Sequence, residues 1–595
     1  MCGIVAAFSY KNDKAPLESE DIIRIRDRMT PRGPDAAGNW LSEDRRVALA
    51  HRRLAIIDLS PRGAQPMVAE ASGTRITFNG EIYNYRALRH ELEQQGCLFH
   101  SDSDTEVLLQ AYDRYGPAMV ERLRGMYAFA IWDSAKRGLF LARDPFGIKP
   151  LYYSDDGGRV LVASQVKALL MAKGIDRTPD PAGKAGFLVM GSVIEPHTLY
   201  KSIRALPAGS TLWIDAQGVR PPHRFWSAGA VLARAAEEGG GARRAELREL
   251  LQDSIRHHMV ADVPVGLFLS GGLDSTTLLA LAAESGFEQL QTATLGFDAF
   301  RNTPYDEVAL AERTAELYGA PHASRRIGVE SFVEEREKLI DAMDQPSIDG
   351  VNVYFVAKAA AQSGLKVALS GLGGDELFAG YPSFRQIPRL AAAMSPFAGL
   401  PGLGRGLRTL AAPLLRRLTS PKYASILEYG TTIEDAYLLR RGLFLPWELP
   451  SILDPEEARE GWRELGLADA MRSSIAGIAE PRDKVAALEI DFYMRNQLLR
   501  DSDWAGMAHS LEIRLPLVDV PLFEGLASLG RFSKRDMADT PERKLPAEIL
   551  GRPKSGFTVP VRSWLMHDLS LGALRGDRGL RGWARYLLDR HLGAR

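Results

Sequence analysis

The stretch "VPVGLFLSGGLDSTTLLALAAES" at 263–285 narrows the choice of folds more than any other in this 595-residue chain. An apolar run breaks at a glycine pair and passes at once into a helix pattern that should start near Leu273. The following residues repeat the alternation: "QTATLGF" precedes "YDEVALAERTAELYG", and "LKVALS" precedes a second glycine turn and another helix pattern. Strands alternating with helices predict a parallel sheet covered on both faces.

A strand–turn–helix junction presents unpaired backbone N–H groups and the positive end of a helix dipole, which together suit an anion. Gly271 and Gly272 allow close backbone approach, Ser270 and Ser275 add hydroxyl donors, and Asp274 is a candidate Mg²⁺ ligand. The sequence is neither a Walker loop nor a dinucleotide fingerprint. On its own such a turn is equally well a plain connection. A second cluster, "KVALSGLGGDELFAGY" (366–381), again follows a strand and supplies Asp375 and Glu376 beside Gly373 and Gly374. Two acidic glycine turns at strand C-termini suit Mg²⁺-pyrophosphate at one sheet edge.

These motifs resemble those of nucleotide α-hydrolases with a pyrophosphate loop, which adenylate a carboxylate. The resemblance implies ATP as co-substrate, bound by Leu269, Ser270, Gly271, Gly272, Asp274, Ser275, Leu295, Ser370 and Gly371. It also implies Mg²⁺ as cofactor, held by Asp274 and Asp375.

Residues 1–215 read differently, as short strands with few helices: "RITFNGEIYNY", "MYAFAIWD" and "GLFLARD" are β-rich. "NYRALRHELEQQG" and "SDTEVLLQAYDRYG" are expected helices, the second opening on Ser103-x-x-Glu106, a capping-box pattern. Residues 216–245, with a Pro pair and a Gly run, suggest a linker running into a helix. Residues 388–420 suggest a helical insertion.

The chain opens "MCGIV", placing Cys2 behind only the initiator methionine. If Met1 is removed, Cys2 carries an α-amine with an unperturbed pKa of ~7.7–8.0, able to take the thiol proton and return it to a leaving group. "MC" alone is unremarkable. "RGPD" (32–35), "HRRLAIID" (51–58), "NGEIYNY" (79–85) and "SDTE" (103–106) follow in order. The set resembles the N-terminal-nucleophile glutaminase domain of class II glutamine amidotransferases. By that resemblance Cys2 is the nucleophile and Asn79 and Gly80 form the oxyanion hole. Arg53, Leu54, Asn79, Gly80, Glu81 and Asp104 bind glutamine, with Arg53 and Asp104 on its α-carboxylate and α-amino group. Read singly, Asp104 equally favours a helix N-terminus, Arg53 a surface pair and Asn79-Gly80 a turn.

Across nearly its whole length the chain resembles the glutamine-hydrolysing asparagine synthetase family, including "RDPFGIKPLYY" (143–153), "NQLLRDSDWAGMAHSLEIRLPLVD" (496–519) and "RPKSGFTVP" (552–560). The implied fold is α/β: an N-terminal Ntn-hydrolase αββα sandwich over 2–215, the linker 216–245, and a synthetase domain over 246–595. The latter is an adenine nucleotide α-hydrolase-like doubly wound parallel sheet with helical additions. The implied reaction hydrolyses glutamine to ammonia, adenylates aspartate and yields asparagine, AMP and pyrophosphate. Lys554 is the implied catalytic cation. Two positions depart from the pattern. Leu372 stands where a glutamate is usual, leaving Leu372 and Glu376 as the candidate acceptor and adenylate site, and Gln165 stands where glutamate is expected. Leu372 keeps open the same chemistry on another carboxylate, such as a uronic acid, a natural-product precursor or a peptide. Intramolecular amide formation is a further alternative.

Lys+Arg 74 against Asp+Glu 75 leaves a net charge of −1, so no global field favours nucleic acid or membrane. No apolar run reaches the ~18 residues of a membrane span, and no secretory leader is recognisable. Only Cys2 and Cys97 are present, which is no disulfide framework. A cytoplasmic enzyme acting on small molecules is expected, with a homodimer as candidate assembly.

Overall fold

The computed structural model describes residues 2–238, 244–287, 290–552, 564 and 580–593. Its N-terminal part contains two antiparallel sheets. The first orders its strands Arg204–Ala205, Tyr152–Asp155, Arg159–Ala163, Gly3–Ser9, Val47–Arg53 and Ala36–Leu41. The second orders Gly218–Val219, Ser210–Asp215, Gly138–Arg143, Gly125–Asp133, Arg75–Ile82 and Met67–Val68.

The layering follows from side-chain alternation. Along Gly3–Ser9, Ile4, Ala6 and Phe8 pack between the sheets with Leu49, Ala130 and Leu141. Val5 and Ala7 point the other way, onto Ile22 and Ile25 of helix Ser19–Asp27. Both faces are covered, so the strand reads as a continuous apolar run with no polar alternation. The second sheet is covered likewise: Ile76, Phe78 and Ile82 pack on Leu88 and Leu92 of helix Tyr85–Gln94 and on Val107 and Leu108 of helix Asp104–Tyr115. The result is the αββα sandwich.

The expected capping box does not form. Ser103 caps its helix by accepting from Thr105 N at 3.2 Å, but the Glu106 carboxylate turns back to His100 N and Ser101 N. Two free N–H groups in the preceding loop compete for the same oxygens. The stretch 216–245 contains more structure than a linker. Gly218–Val219 and His223–Arg224 pair with Ser210–Asp215, and helix Ala228–Glu238 buries Ala228 and Val231. Two-residue strands carry no periodicity that a sequence displays.

The C-terminal part is built on five parallel strands ordered His322–Ile327, Gln291–Phe297, Val265–Phe268, Val367–Leu369 and Glu512–Arg514. In chain order this is 3-2-1-4-5. The direction of winding reverses between Val265–Phe268 and Val367–Leu369, and a crevice opens at such a switch point beyond the strand C-termini. Both glycine turns issue from these two strands. Helices Ser383–Met394 and Pro401–Leu418 occupy the expected insertion. No described helix is long and apolar enough to cross a membrane.

Candidate functional site

Two sites emerge, one in each part. The first lies at the end of the strand carrying Cys2. A pocket open to solvent is lined by Cys2, Arg53, Leu54, Ile56, Ile57, Gly63, Gln65, Phe78, Gly80, Glu81, Ser103, Asp104 and Thr105. Sequence-predicted residues from four separate segments therefore meet around one cleft: Cys2, Arg53 with Leu54, Gly80 with Glu81, and Asp104.

The main-chain nitrogen of Cys2 donates to Asn79 Oδ1 at 2.8 Å. This orients the Asn79 amide, whose Nδ2 is buried without a partner among the described residues. A buried donor left unpaired is costly unless something else accepts from it. Gly80 follows with φ +155°, and a Cβ there would lie 2.1 Å from Met126 O, so only glycine fits. Burial pushes the Cys2 thiol above its usual range. Among the described residues no histidine lines the pocket to deprotonate it; His51, on the neighbouring strand, is buried and driven down to about 3 by that burial.

Arg53 is held by its surroundings, donating to the carbonyls of Ser60 (3.0 Å), Ile57 (3.4 Å) and Asp58. Asp104 starts helix Asp104–Tyr115 and accepts from Ile82 N at 3.1 Å. Burial nevertheless raises its carboxyl to about 6. A fixed cation and a carboxylate thus face one cleft beside a thiol, an arrangement that can hold an amino-acid zwitterion.

The second site is formed by the two glycine turns, which interlock. A Cβ on Gly371 would lie 2.8 Å from Asp274 Cβ, and one on Gly374 2.7 Å from Asp274 Oδ1. In the first turn Ser270 N donates to Ser275 Oγ at 3.1 Å and Gly272 N to Ser270 Oγ at 3.2 Å, which fixes the loop ahead of helix Leu273–Glu284. Leu269 N bonds Ala293 O at 2.9 Å, placing Leu269 beside the strand that carries Leu295. In the second turn Ser370 N bonds Arg514 O at 2.9 Å and Leu372 N donates to Ser370 Oγ at 3.3 Å.

Two cations missed in the sequence stand here. Lys534 Nζ hydrogen-bonds Asp274 Oδ1 and lies 3.0 Å from Asp375 Oδ1. Burial opposes its charge, but the two carboxylates prevail and raise its pKa above the usual lysine value. Arg552 sits against Gly271, where a Cβ would come within 2.1 Å of its Nη1. "RFSKRD" has no pattern that separates Lys534 from a surface lysine; only tertiary convergence does. Glu376 is buried, accepts from Tyr381 Oη at 2.9 Å, and has its Oε2 unpartnered among the described residues. Burial, with Asp375 beside it, lifts Glu376 to about 7. Lys554 lies outside the described residues.

A Glutamine amidotransferase domain model matches residues 1–226 and an Asparagine synthase model residues 246–578. Asparagine synthetase [glutamine-hydrolyzing] 1 of Bacillus subtilis is 34% identical over 96% of this chain and 89% of its own length. The chain belongs to the glutamine-hydrolysing asparagine synthetase family. Other relatives align over less. Asparagine synthetase B [glutamine-hydrolyzing] of Escherichia coli is 31% identical over 65% of this chain and 66% of its own. An amidase of Gibberella zeae is 30% identical over 65% of this chain and 60% of its own. The two family models meet the chain where the two sites lie, one on either side of residues 227–245.

Proposed function

We infer that the chain is a glutamine-dependent amide ligase that forms asparagine from aspartate, releasing AMP and pyrophosphate. The observation that carries this is the coexistence of the Cys2 pocket with two interlocked acidic glycine turns at a sheet switch point. The first suits ammonia release from glutamine, the second carboxylate adenylation.

In the first half-reaction the Cys2 thiolate attacks the glutamine side-chain amide. The developing oxyanion takes a hydrogen bond from Asn79 Nδ2 and the Gly80 backbone. With Met1 removed, the nitrogen that donates to Asn79 Oδ1 is the α-amine, placed to move the thiol proton to departing ammonia; water then hydrolyses the γ-glutamyl thioester left on Cys2, releasing glutamate and restoring the thiol. In the second, the acceptor carboxylate attacks the α-phosphorus of ATP, pyrophosphate leaves, and ammonia then displaces AMP from the acyl group. Ser270–Ser275 and Ser370–Gly371 cradle the phosphates through backbone N–H and hydroxyl donors. Asp274 and Asp375 fit a hard divalent cation, since one ammonium already spans them. Mg²⁺ bound there would neutralise phosphate charge.

Leu372 favours a second reading, the same chemistry on a different carboxylate. An aliphatic side chain cannot move a proton, and Glu376, the acid of the turn besides Asp375, is turned to Tyr381. Pyrophosphate exchange into ATP, measured over a panel of carboxylates, decides between the two. Exchange with aspartate, and asparagine formed from ammonium, supports the first reading; exchange with another acid alone overturns the choice of aspartate.

Asp104 makes a pH prediction. Its carboxyl, raised to about 6, must be ionised to pair with the glutamine ammonium, so protonation below that pH removes the contact. kcat/KM for glutamine should fall about tenfold per unit below pH 6, because this parameter reports the free enzyme. The ammonia-dependent reaction should lack that limb. Asp104→Asn should abolish the limb and raise KM about 10–100-fold, the worth of a charged hydrogen bond.

A further inference from the structure

The Cys2 main chain is gripped from both sides. Its nitrogen donates to Asn79, and its carbonyl accepts from Arg32 Nε at 3.0 Å. Arg32, 1% exposed, ends the short turn Thr30–Arg32 and is itself locked by a residue from the other domain. Its Nη1 and Nη2 donate to Asp503 Oδ2 and Oδ1 at 2.7 and 3.0 Å, a planar two-pronged ion pair out of solvent.

Asp503 lies on helix Arg500–Met507 of the synthetase domain. The chain after that helix contacts the same loop again: Ser510 Oγ donates to Pro31 O at 2.7 Å. It then forms strand Glu512–Arg514, whose last carbonyl accepts from Ser370 N in the second glycine turn. Arg514 Nη2 also approaches Glu81 Oε2 in the Cys2 pocket at 3.4 Å. Lys366, just ahead of strand Val367–Leu369, pairs with Asp35 at 2.8 Å, and Asp35 accepts from Ala55 N at 2.8 Å, two residues beyond Arg53. One helix–strand unit of the synthetase domain thus touches the phosphate turn at one end and the backbone of Cys2, through Arg32, at the other.

We propose that Asp503 is a positioning residue for the Cys2 thiol, acting through Arg32, so that the synthetase domain completes the glutaminase site. The inference rests on Cys2 being the glutaminase nucleophile. Asp503 touches no substrate; its carboxylate fixes the guanidinium plane, and that plane fixes the Cys2 carbonyl and the direction of its side chain. Displacements of about 1 Å at a reacting group cost on the order of a hundredfold in rate. Arg53 and Asp104 are not part of this chain of contacts, so glutamine affinity should be spared.

The test is Asp503→Asn in the full-length enzyme, with glutamate release and ammonia-dependent amide formation measured on the same preparation. Glutaminase kcat should fall about 10–100-fold with KM for glutamine within about threefold of wild type. Ammonia-dependent synthesis should remain within about twofold. The maximal rate of covalent inactivation by saturating 6-diazo-5-oxo-L-norleucine, a glutamine analogue that alkylates the thiol once bound, should fall with kcat. Asp503→Glu keeps the charge but moves it by one methylene; it should fall between the two, and it carries the test if Asp503→Asn does not fold. Unchanged kcat, or an equal loss of both activities, overturns the proposal. Wild-type enzyme that releases no glutamate overturns the glutaminase reading beneath it.

Discussion

Cys2→Ala is expected to reduce glutamine-dependent turnover by about 10³-fold or more while leaving the reaction with free ammonium within about threefold of wild type. The size of the first effect follows from the pocket, where Cys2 is the one thiol among the described lining residues and the nearby hydroxyl and carboxylate oxygens are far weaker nucleophiles. The smallness of the second follows from the fold. Cys2 directly precedes strand Gly3–Ser9 of the sandwich, whereas the phosphate turns issue from a separate parallel sheet. Alanine also fits without strain, since the contacts that hold residue 2 are made by its backbone. The measurements are glutamate release and AMP formation with each nitrogen source. Loss of both reactions in a folded variant would contradict a division of labour between two sites.

The converse is expected of Asp274→Asn: adenylation, followed as pyrophosphate exchange into ATP, should fall by about 10²–10³-fold, and glutaminase activity should persist. A neutral amide is a poor ligand for a hard cation, and the lost charge stabilisation is worth several kcal/mol at a transferring phosphorus. The variant should fold, because Lys534 retains Asp375 as a counter-ion and the cluster is partly open to solvent. Adding EDTA to wild type should reproduce the same split, with adenylation lost and glutamate release intact. Adenylation that persists in Asp274→Asn at low Mg²⁺ would remove Asp274 from the metal site.

The sequence carried the chemistry further than it carried the geometry. Each glycine turn, and the Asn79-Gly80 pair beside Cys2, was legible because it is local: a few adjacent residues must meet a fixed backbone shape, as Gly80 must against Met126 O. Parallel-strand alternation was legible for the same reason, each βα unit being a contiguous pattern. What escaped were contacts between distant segments. Lys534, Arg552 and Asp503 are charged residues in unremarkable stretches, and each acquires its meaning from a partner more than two hundred residues away. The capping box failed differently, since Glu106 has the right spacing but nearer donors. Lys554 remains an expectation from the family pattern.

The placement of strand Gly3–Ser9 also bears on how the protein is made. It precedes both of its neighbours in the chain, yet it is interior to its sheet, hydrogen-bonded to Val47–Arg53 on one edge and to Arg159–Ala163 on the other. The sheet therefore cannot close until roughly 150 further residues, through Arg159–Ala163, have left the ribosome. At about 5–20 residues per second that is on the order of ten to thirty seconds. Throughout that interval the thiol later sealed in the pocket is on a nascent chain without its second neighbour, open to any oxidant nearby. A reducing environment during translation would therefore matter more to the yield of active enzyme than one after folding, when only 7% of Cys2 is accessible.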